Sequence, residues 1–270
     1  LAWDAQELAY DDAGQLLSRW DGTTFKTHPV TGEQVPDEAA QVPQWRYVGA
    51  RQAQWPQADF IVGNPPFIGA ASMRAALGDG YVQALRGAWP EVPESADFVM
   101  FWWHHAAGEV AAGRTRRMGL ITTNSLRQTF NRRVVEARLS PPPTKATISG
   151  VQPLHLVMAI PDHPWVDSAN GAAVRIAMTV AAPGAGEGEL LTVKSERPGE
   201  HGEVAVELVG RSGLIHADLS VGANVAAALP LRAMSGVSSP GVKLHGAGFI
   251  VTPEQASEWN NPAMVRHYRN

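Results

Sequence analysis

The feature that most constrains the fold is a short apolar run that cannot continue. Ala58-Asp59-Phe60-Ile61-Val62-Gly63 stops at Asn64-Pro65-Pro66-Phe67. A β-branched run of this length, closed by a polar residue and two prolines, predicts a buried strand ending in a rigid, exposed corner. Each proline fixes its own φ and lacks an N–H, which leaves carbonyls free to accept hydrogen bonds. The Asn64 amide oxygen is one more acceptor, and the Phe67 ring is a flat apolar plate. Acceptors that converge beside an aromatic plate suit an exocyclic amino group on a planar base. The alternative is a plain turn, since Asn-Pro starts turns routinely. At ordinary proline usage, Asn-Pro-Pro-aromatic arises by chance in under roughly one chain in a hundred of this length, so the chemical reading is preferred.

The rest of the chain supplies a context for that strand. Residues 1 to 57 are polar and rich in turn formers, read as an insertion leading into it, with a hairpin or long loop over Thr27 to Glu33. Trp20, Trp45, Tyr47 and Trp55 are expected to be packing anchors. Met73 to Ala88 has helical period, with Met73, Leu77, Tyr81 and Leu85 four residues apart. Ser95 to Gly113 reads as a helix capped by Ser95 and ended by Gly113. Met118 to Thr123 reads as a buried strand ending at Asn124-Ser125, followed by a helix over Thr129 to Leu139 that Pro141-Pro142-Pro143 stops. Strand, helix, strand, helix is the alternation of an α/β sheet. Two further strands, Leu154 to Ile160 and Ala173 to Val180, are joined by a loop from Pro161 to Gly171, short enough for an antiparallel hairpin. Ala181 to Gly188 reads as a linker by composition. Beyond it lie short strands and turns.

The run Asp59 to Phe67 resembles motif IV of the class I, S-adenosylmethionine-dependent amino-methyltransferases, in the Asn-Pro-Pro-aromatic form of adenine-N6 DNA methyltransferases. Ser95 to Trp103 and Arg117 to Ser125 are similar to the next helix and strand of that fold. With Ile160 to Trp165 and Gly241 to Phe249, the wording resembles the large bacterial methylases of restriction-modification and phage-defence systems. The resemblance implies an α/β fold: the C-terminal part of a Rossmann-like class I sheet, followed by the start of a mainly β target-recognition region. It implies a partial catalytic core over residues 58–182 and a recognition domain beginning at 189–270. It implies double-stranded DNA as partner, S-adenosylmethionine as methyl donor, and methyl transfer to N6 of an adenine rotated out of the duplex.

By the same resemblance, the Asn64 side-chain oxygen and the Pro65 carbonyl accept hydrogen bonds from the N6 amine. Asn64 and Pro66 border the donor, Phe67 stacks on the target base, and Trp165 packs on its other face. Lys243 and His245, in a Gly-rich turn, are candidate DNA contacts. An ordinary surface role for Trp165 remains an open alternative, and Asp162 and His163, which resemble half of an acid–base pair, are read as loop turn chemistry instead. Arg114, Arg116, Arg117, Arg127, Arg132 and Arg133 are the densest basic stretch, either a solvated surface or a phosphate contact. His104 and His105 are adjacent, so they do not share a helix face as metal ligands do, and no metal site is expected. The departure from the family is that no glycine-rich donor loop, and no ribose-binding acid after it, precedes Asn64.

Composition narrows the remaining possibilities. No stretch reaches the ~18 apolar residues of a membrane span, and no signal peptide opens the chain. There are no cysteines, which excludes disulfides and thiolate metal sites and fits a cytoplasmic setting. A net charge of −4 disfavours a generic DNA-coating protein without excluding a DNA enzyme that has a local basic face. The first residue is Leu1, which with the absent donor loop leads to the expectation of a fragment whose missing N-terminal part completes the donor site, with or without a fused nuclease. The competing functions are methylation of a protein glutamine or of RNA, and a non-catalytic DNA-binding subunit.

Overall fold

A computed structural model describes residues 1–28, 32–139, 152–166, 173–198, 204–224, 228, 231–234, 236–237 and 252–258. Contacts divide the chain into two units, Leu1–Ala226 and Ala227–Asn270. The second contains α5 (Pro253–Glu258) among its described residues.

The first unit opens on a nested antiparallel ribbon. β1 (Ala5–Leu8), β2 (Ser18–Trp20), β3 (Phe25–Thr27), β4 (Gln34–Pro36), β5 (Gln41–Pro43) and β6 (Trp45–Val48) pair β1 with β6, β2 with β5 and β3 with β4. His28 N–H donates to Glu33 O at 2.8 Å, in keeping with the expected hairpin. Tyr47 and Trp55 are anchors, as expected: Tyr47 meets Trp3 and Tyr81 edge-on, and Trp55 stacks on His105 with ring centroids 4.1 Å apart, whereas Trp45 is 41% exposed and does not anchor.

The main layer is one six-stranded mixed sheet. Its strands are β7 (Phe60–Gly63), β8 (Arg117–Thr123), β9 (Leu154–Val166), β10 (Ala173–Pro183), β11 (Gly188–Pro198) and β12 (Val204–Gly213), in the order β12-β11-β9-β10-β8-β7. β7 and β8 run parallel, as a helical crossover requires. β10 runs antiparallel to both β8 and β9, and β11 rejoins parallel to β9.

The helices are α1 (Met73–Leu77), α2 (Asp79–Ala88), α3 (Val99–Ala111) and α4 (Thr129–Leu139). α3 is the buried one: Val99, Met100, Phe101, Trp103, Ala106, Ala107 and Val110 lie in the core against Met118 and Leu120 of β8. The Trp103 indole N–H donates to Thr179 Oγ1 of β10 at 3.1 Å, pinning helix to sheet. α4 joins α3 through Arg138, whose Nη2 donates to His104 Nε2 at 3.0 Å. Burial, with the positive Arg138 and then His105 beside it, lowers the His104 pKa from 6.5 to about 4.

Four expectations are corrected. The predicted helix from Met73 to Ala88 is two helices, broken at Gly78 (φ 85°, ψ 150°). The break lets α2 approach the ribbon so closely that a Cβ on Gly80 would lie 1.6 Å from Trp45 O. The third helix starts at Val99, not Ser95, and Ser95 caps nothing; the chain before it is held by Asp97 instead. The stretch from Pro161 to Val166 is not loop but the end of β9, because β10 pairs with it as far as Ala173↔Val166; Pro161 falls at the register shift between Ile176 and Met178, and Pro164 pairs in register with Arg175. Ala181 to Gly188 is not a linker but the end of β10, a turn, and the first residue of β11 within the same sheet. Pro141-Pro142-Pro143 lie outside the described residues.

One face of the sheet carries no helix among the described residues. Phe60 and Val62 of β7 point there, 56% and 85% exposed. They share a hollow of about 610 Å³ with Ile121, Met158, Met178 and Val180. β7 is also the sheet's edge strand, so the buried strand expected here is corrected: with a neighbour on one side only, its Phe60 and Val62 side chains are exposed.

Candidate active site

β7 ends where its sequence says it must. Gly63 pairs with Leu120, and the chain then leaves the sheet at the carboxyl end of the two parallel strands. That end is where open α/β sheets bind ligands, since the loops diverge there and leave a crevice. Asn64 and Pro66 are exposed, Pro65 is buried, and Phe67 is half-buried against the core. Among the described residues neither the Asn64 amide nor the Pro65 carbonyl has a hydrogen-bond partner. The acceptors of the corner are therefore unclaimed, and the corner expected to be exposed is so at Asn64 and Pro66 but not at Pro65.

Behind the corner, two bonds tie the loop to the start of α3. Phe98 N–H donates to Ile68 O at 2.9 Å, and Ala70 N–H donates to Asp97 Oδ1 at 3.0 Å. The other Asp97 oxygen accepts from Ser125 Oγ at 2.7 Å and from Asn131 Nδ2 at 2.8 Å. Asp97 N–H in turn donates to Asn131 Oδ1 at 2.9 Å. Ser125 also bonds the Thr123 hydroxyl at the end of β8. Asp97, Ser125 and Asn131 did not emerge from sequence reading. They lie 28 and 34 residues apart, and no local pattern marks such a set.

A second chain of bonds crosses the same rim. Asn124 Nδ2 donates to Asp162 Oδ1 at 3.1 Å, Arg175 Nε donates to the same oxygen at 2.7 Å, and Arg175 Nη1 reaches Glu196 Oε1 at 2.9 Å. Partial burial works to raise the Asp162 pKa. The hydrogen bonds from Arg175 and Asn124, with the charges of Arg175 and Arg127, prevail and hold it below the ordinary carboxylate value. Asp162 is thus a strand residue in an ion pair, where turn chemistry was expected. His163 Nδ1 lies 2.7 Å from Pro164 O.

Trp165 belongs to β9, not a loop, and is 36% exposed. Registers place Ile160 level with Met178, Met178 level with Ile121, and Ile121 next along from the Gly63 partner Leu120. Trp165 is level with Val174, four residues and roughly 13 Å from that level toward the same end of the sheet as the corner, and lies three strands across from β7. Lys243 and His245 lie outside the described residues. The six arginines do not form one basic face: Arg114, Arg116 and Arg117 sit at the amino end of β8, away from the corner, while Arg127, Arg132 and Arg133 follow its carboxyl end. Arg114 pairs with Glu109, and Arg116 lies over the Phe60 ring. His105 approaches Glu109 at 3.7 Å, so each histidine has a protein partner.

An open mixed sheet with an acceptor corner at the end of its parallel strands defines a ligand-handling α/β domain. Residues 23–181, more than half of the chain, match the family "MmeI, DNA-methyltransferase domain", and the chain belongs to that family. Among curated proteins no relative matches. Two solved structures are similar. One is the Type IIL restriction-modification enzyme MmeI in complex with DNA, at 20% identity and a TM-score of 0.41, over 62% of this chain and 20% of that one. The other is a modification subunit assigned to a type I restriction enzyme from Vibrio vulnificus YJ016, at 16% identity and 0.36, over 54% and 27%. The chain therefore spans about a fifth to a quarter of the length of these proteins.

Proposed function

We propose that this chain is the target-amine half of a restriction-modification or phage-defence DNA methyltransferase that modifies adenine at N6, acting in the cytoplasm on double-stranded DNA. The observation that carries the reading is the corner itself: Asn64 and the Pro65 carbonyl offer unclaimed acceptors at the carboxyl end of parallel strands, and membership of a DNA-methyltransferase family supports the use. The adenine amine is a poor nucleophile because its lone pair is delocalised into the ring. Two fixed acceptors on its hydrogens favour the pyramidal nitrogen that attacks. Phe67 stacks on the extruded base, which has lost its neighbours in the duplex. The rigidity of the two prolines means little reorganisation is needed as charge develops on the nitrogen.

S-adenosylmethionine supplies the methyl group when bound. The residues present fit one side of it: Asn64 and Pro66 are exposed at the strand end where donor and amine must meet. The apolar hollow of Phe60, Val62, Met158 and Met178 suits packed helices better than a charged donor. A preceding part of the polypeptide is proposed to cover that face, pair with the open edge of β7 and bring the glycine-rich loop and ribose-binding acid. This fragment alone then binds the donor weakly. A Rossmann-like class I sheet is the overall architecture under this reading, with residues from 189 onward beginning target recognition. Trp165, Lys243 and His245 are proposed as DNA or base contacts.

The test is N6-methyladenine mapping in a methylation-free host expressing the complete polypeptide, beside its Asn64→Ala form. Modification at one short sequence, lost in the variant, is expected. A well-expressed protein that leaves adenine unmodified refutes the reading and turns attention to a protein glutamine or RNA substrate, or to a binding subunit without chemistry.

A further inference from the structure

We infer that Asp97 is the positioning residue of the Asn64–Phe67 corner, an inference that rests on the function proposed above. The corner works only if its two acceptors stay in place, since a 1 Å displacement near reacting atoms can cost on the order of 10²-fold in rate. β7 holds the front of the loop. Its rear is held by the two bonds to residues 97 and 98, Ala70 N–H to Asp97 Oδ1 at 3.0 Å and Phe98 N–H to Ile68 O at 2.9 Å. Between the two anchors lie Pro65 and Pro66, so the intervening chain has little slack to absorb a shift at either end.

The chemistry of Asp97 explains why a carboxylate stands there. Three donors converge on it: the Ala70 N–H, the Ser125 hydroxyl and the Asn131 amide. An ionised carboxylate is acceptor-only and satisfies all three, whereas an amide must turn a donor toward one of them. Asn131, only 4% exposed, cannot easily swing to solvent. It also donates to the Ser125 carbonyl at 3.1 Å, which keeps its amide in one orientation. Asp97 thereby locks three segments that otherwise meet nowhere in sequence: the rear of the corner, the turn after β8, and the first turn of α4. None of these contacts reaches the acceptors themselves, so Asp97 acts through the loop and not on the substrate.

The test uses the complete polypeptide with Asp97→Asn, Ser125→Ala, and Asp97→Asn combined with Asn131→Asp, which returns an acceptor opposite the new amide. Single-turnover methyl transfer to a bound duplex is measured beside duplex affinity, and fluorescence of 2-aminopurine at the target position reports base extrusion. Asp97→Asn is expected to slow transfer on the order of 10²-fold and Ser125→Ala several-fold, with affinity and extrusion within about twofold of the unsubstituted protein. The double variant is expected to recover about two- to threefold of the loss, since the carboxylate of Asn131→Asp accepts from the new amide but no longer donates to the Ser125 carbonyl. Transfer by Asp97→Asn equal to the unsubstituted protein overturns the inference, and so does a fall in rate matched by equal falls in affinity and extrusion. Should Asp97→Asn fail to fold, an unaltered rate for folded Ser125→Ala overturns it. No transfer by the unsubstituted protein overturns the function proposed above, and the positioning role with it.

Discussion

His104 offers the sharpest energetic test of the fold. It is 8% exposed and accepts a hydrogen bond from Arg138, so it is held neutral beside a positive charge. Its pKa falls from 6.5 to about 4 in the folded protein. The unfolded chain therefore takes up a proton in a window where the native state refuses it, and stability falls as the solution is acidified. The contribution is complete above 6.5 and is lost progressively as pH drops toward about 4. Linkage gives a loss of roughly 2 kcal/mol at about pH 5 relative to neutral solution. The perturbation is His104→Gln, whose amide oxygen can accept from Arg138 but does not titrate. Urea denaturation of both proteins at about pH 7.5 and about pH 5 cancels the carboxylates common to them. The unsubstituted protein should lose roughly 2 kcal/mol more than the variant on acidification, on the order of 1 M in urea midpoint. Equal losses would refute the claim that His104 is buried and neutral.

Other substitutions probe the placement of the site. Thr179→Val strands the Trp103 indole N–H in the core and should cost about 1–3 kcal/mol in urea unfolding, and together with Trp103→Phe it should cost less than the two losses summed. Gly80→Ala drives a methyl into the Trp45 carbonyl, pushing α2 off β6; a loss of about 1–3 kcal/mol is expected from the denaturation midpoint, and none would contradict that contact.

The corner was legible because its determinants are local. Two prolines and a β-branched run force a strand end whatever surrounds them, and the structure places β7 over Phe60–Gly63 accordingly. α4 was equally readable, its bounds Thr129–Leu139 being those expected of a helix after β8 that three following prolines stop. Prolines misled where pairing outweighs local preference. Pro161 and Pro164 suggested a loop, yet β10 draws the segment into the sheet: Pro161 falls at a register shift, where a strand tolerates a residue without an N–H, and Pro164 lies level with Arg175. Gly184 and its neighbours suggested a linker, yet a tight turn with φ 84° at Gly184 leads from β10 to β11.

By itself, then, the sequence determined the α/β alternation and the chemical character of the corner, because propensity, proline geometry and donor–acceptor inventory act over a few residues. Tertiary structure alone decided which groups surround that corner. The Asp97–Ser125–Asn131 cluster and the Asn124–Asp162–Arg175 chain join segments distant in sequence, and strand order sets Trp165 three strands across from β7. Side chains from separate strands and helices converge only once the strand order is set, and hydrophobic burial around α3, which carries no positional code of its own, sets that order.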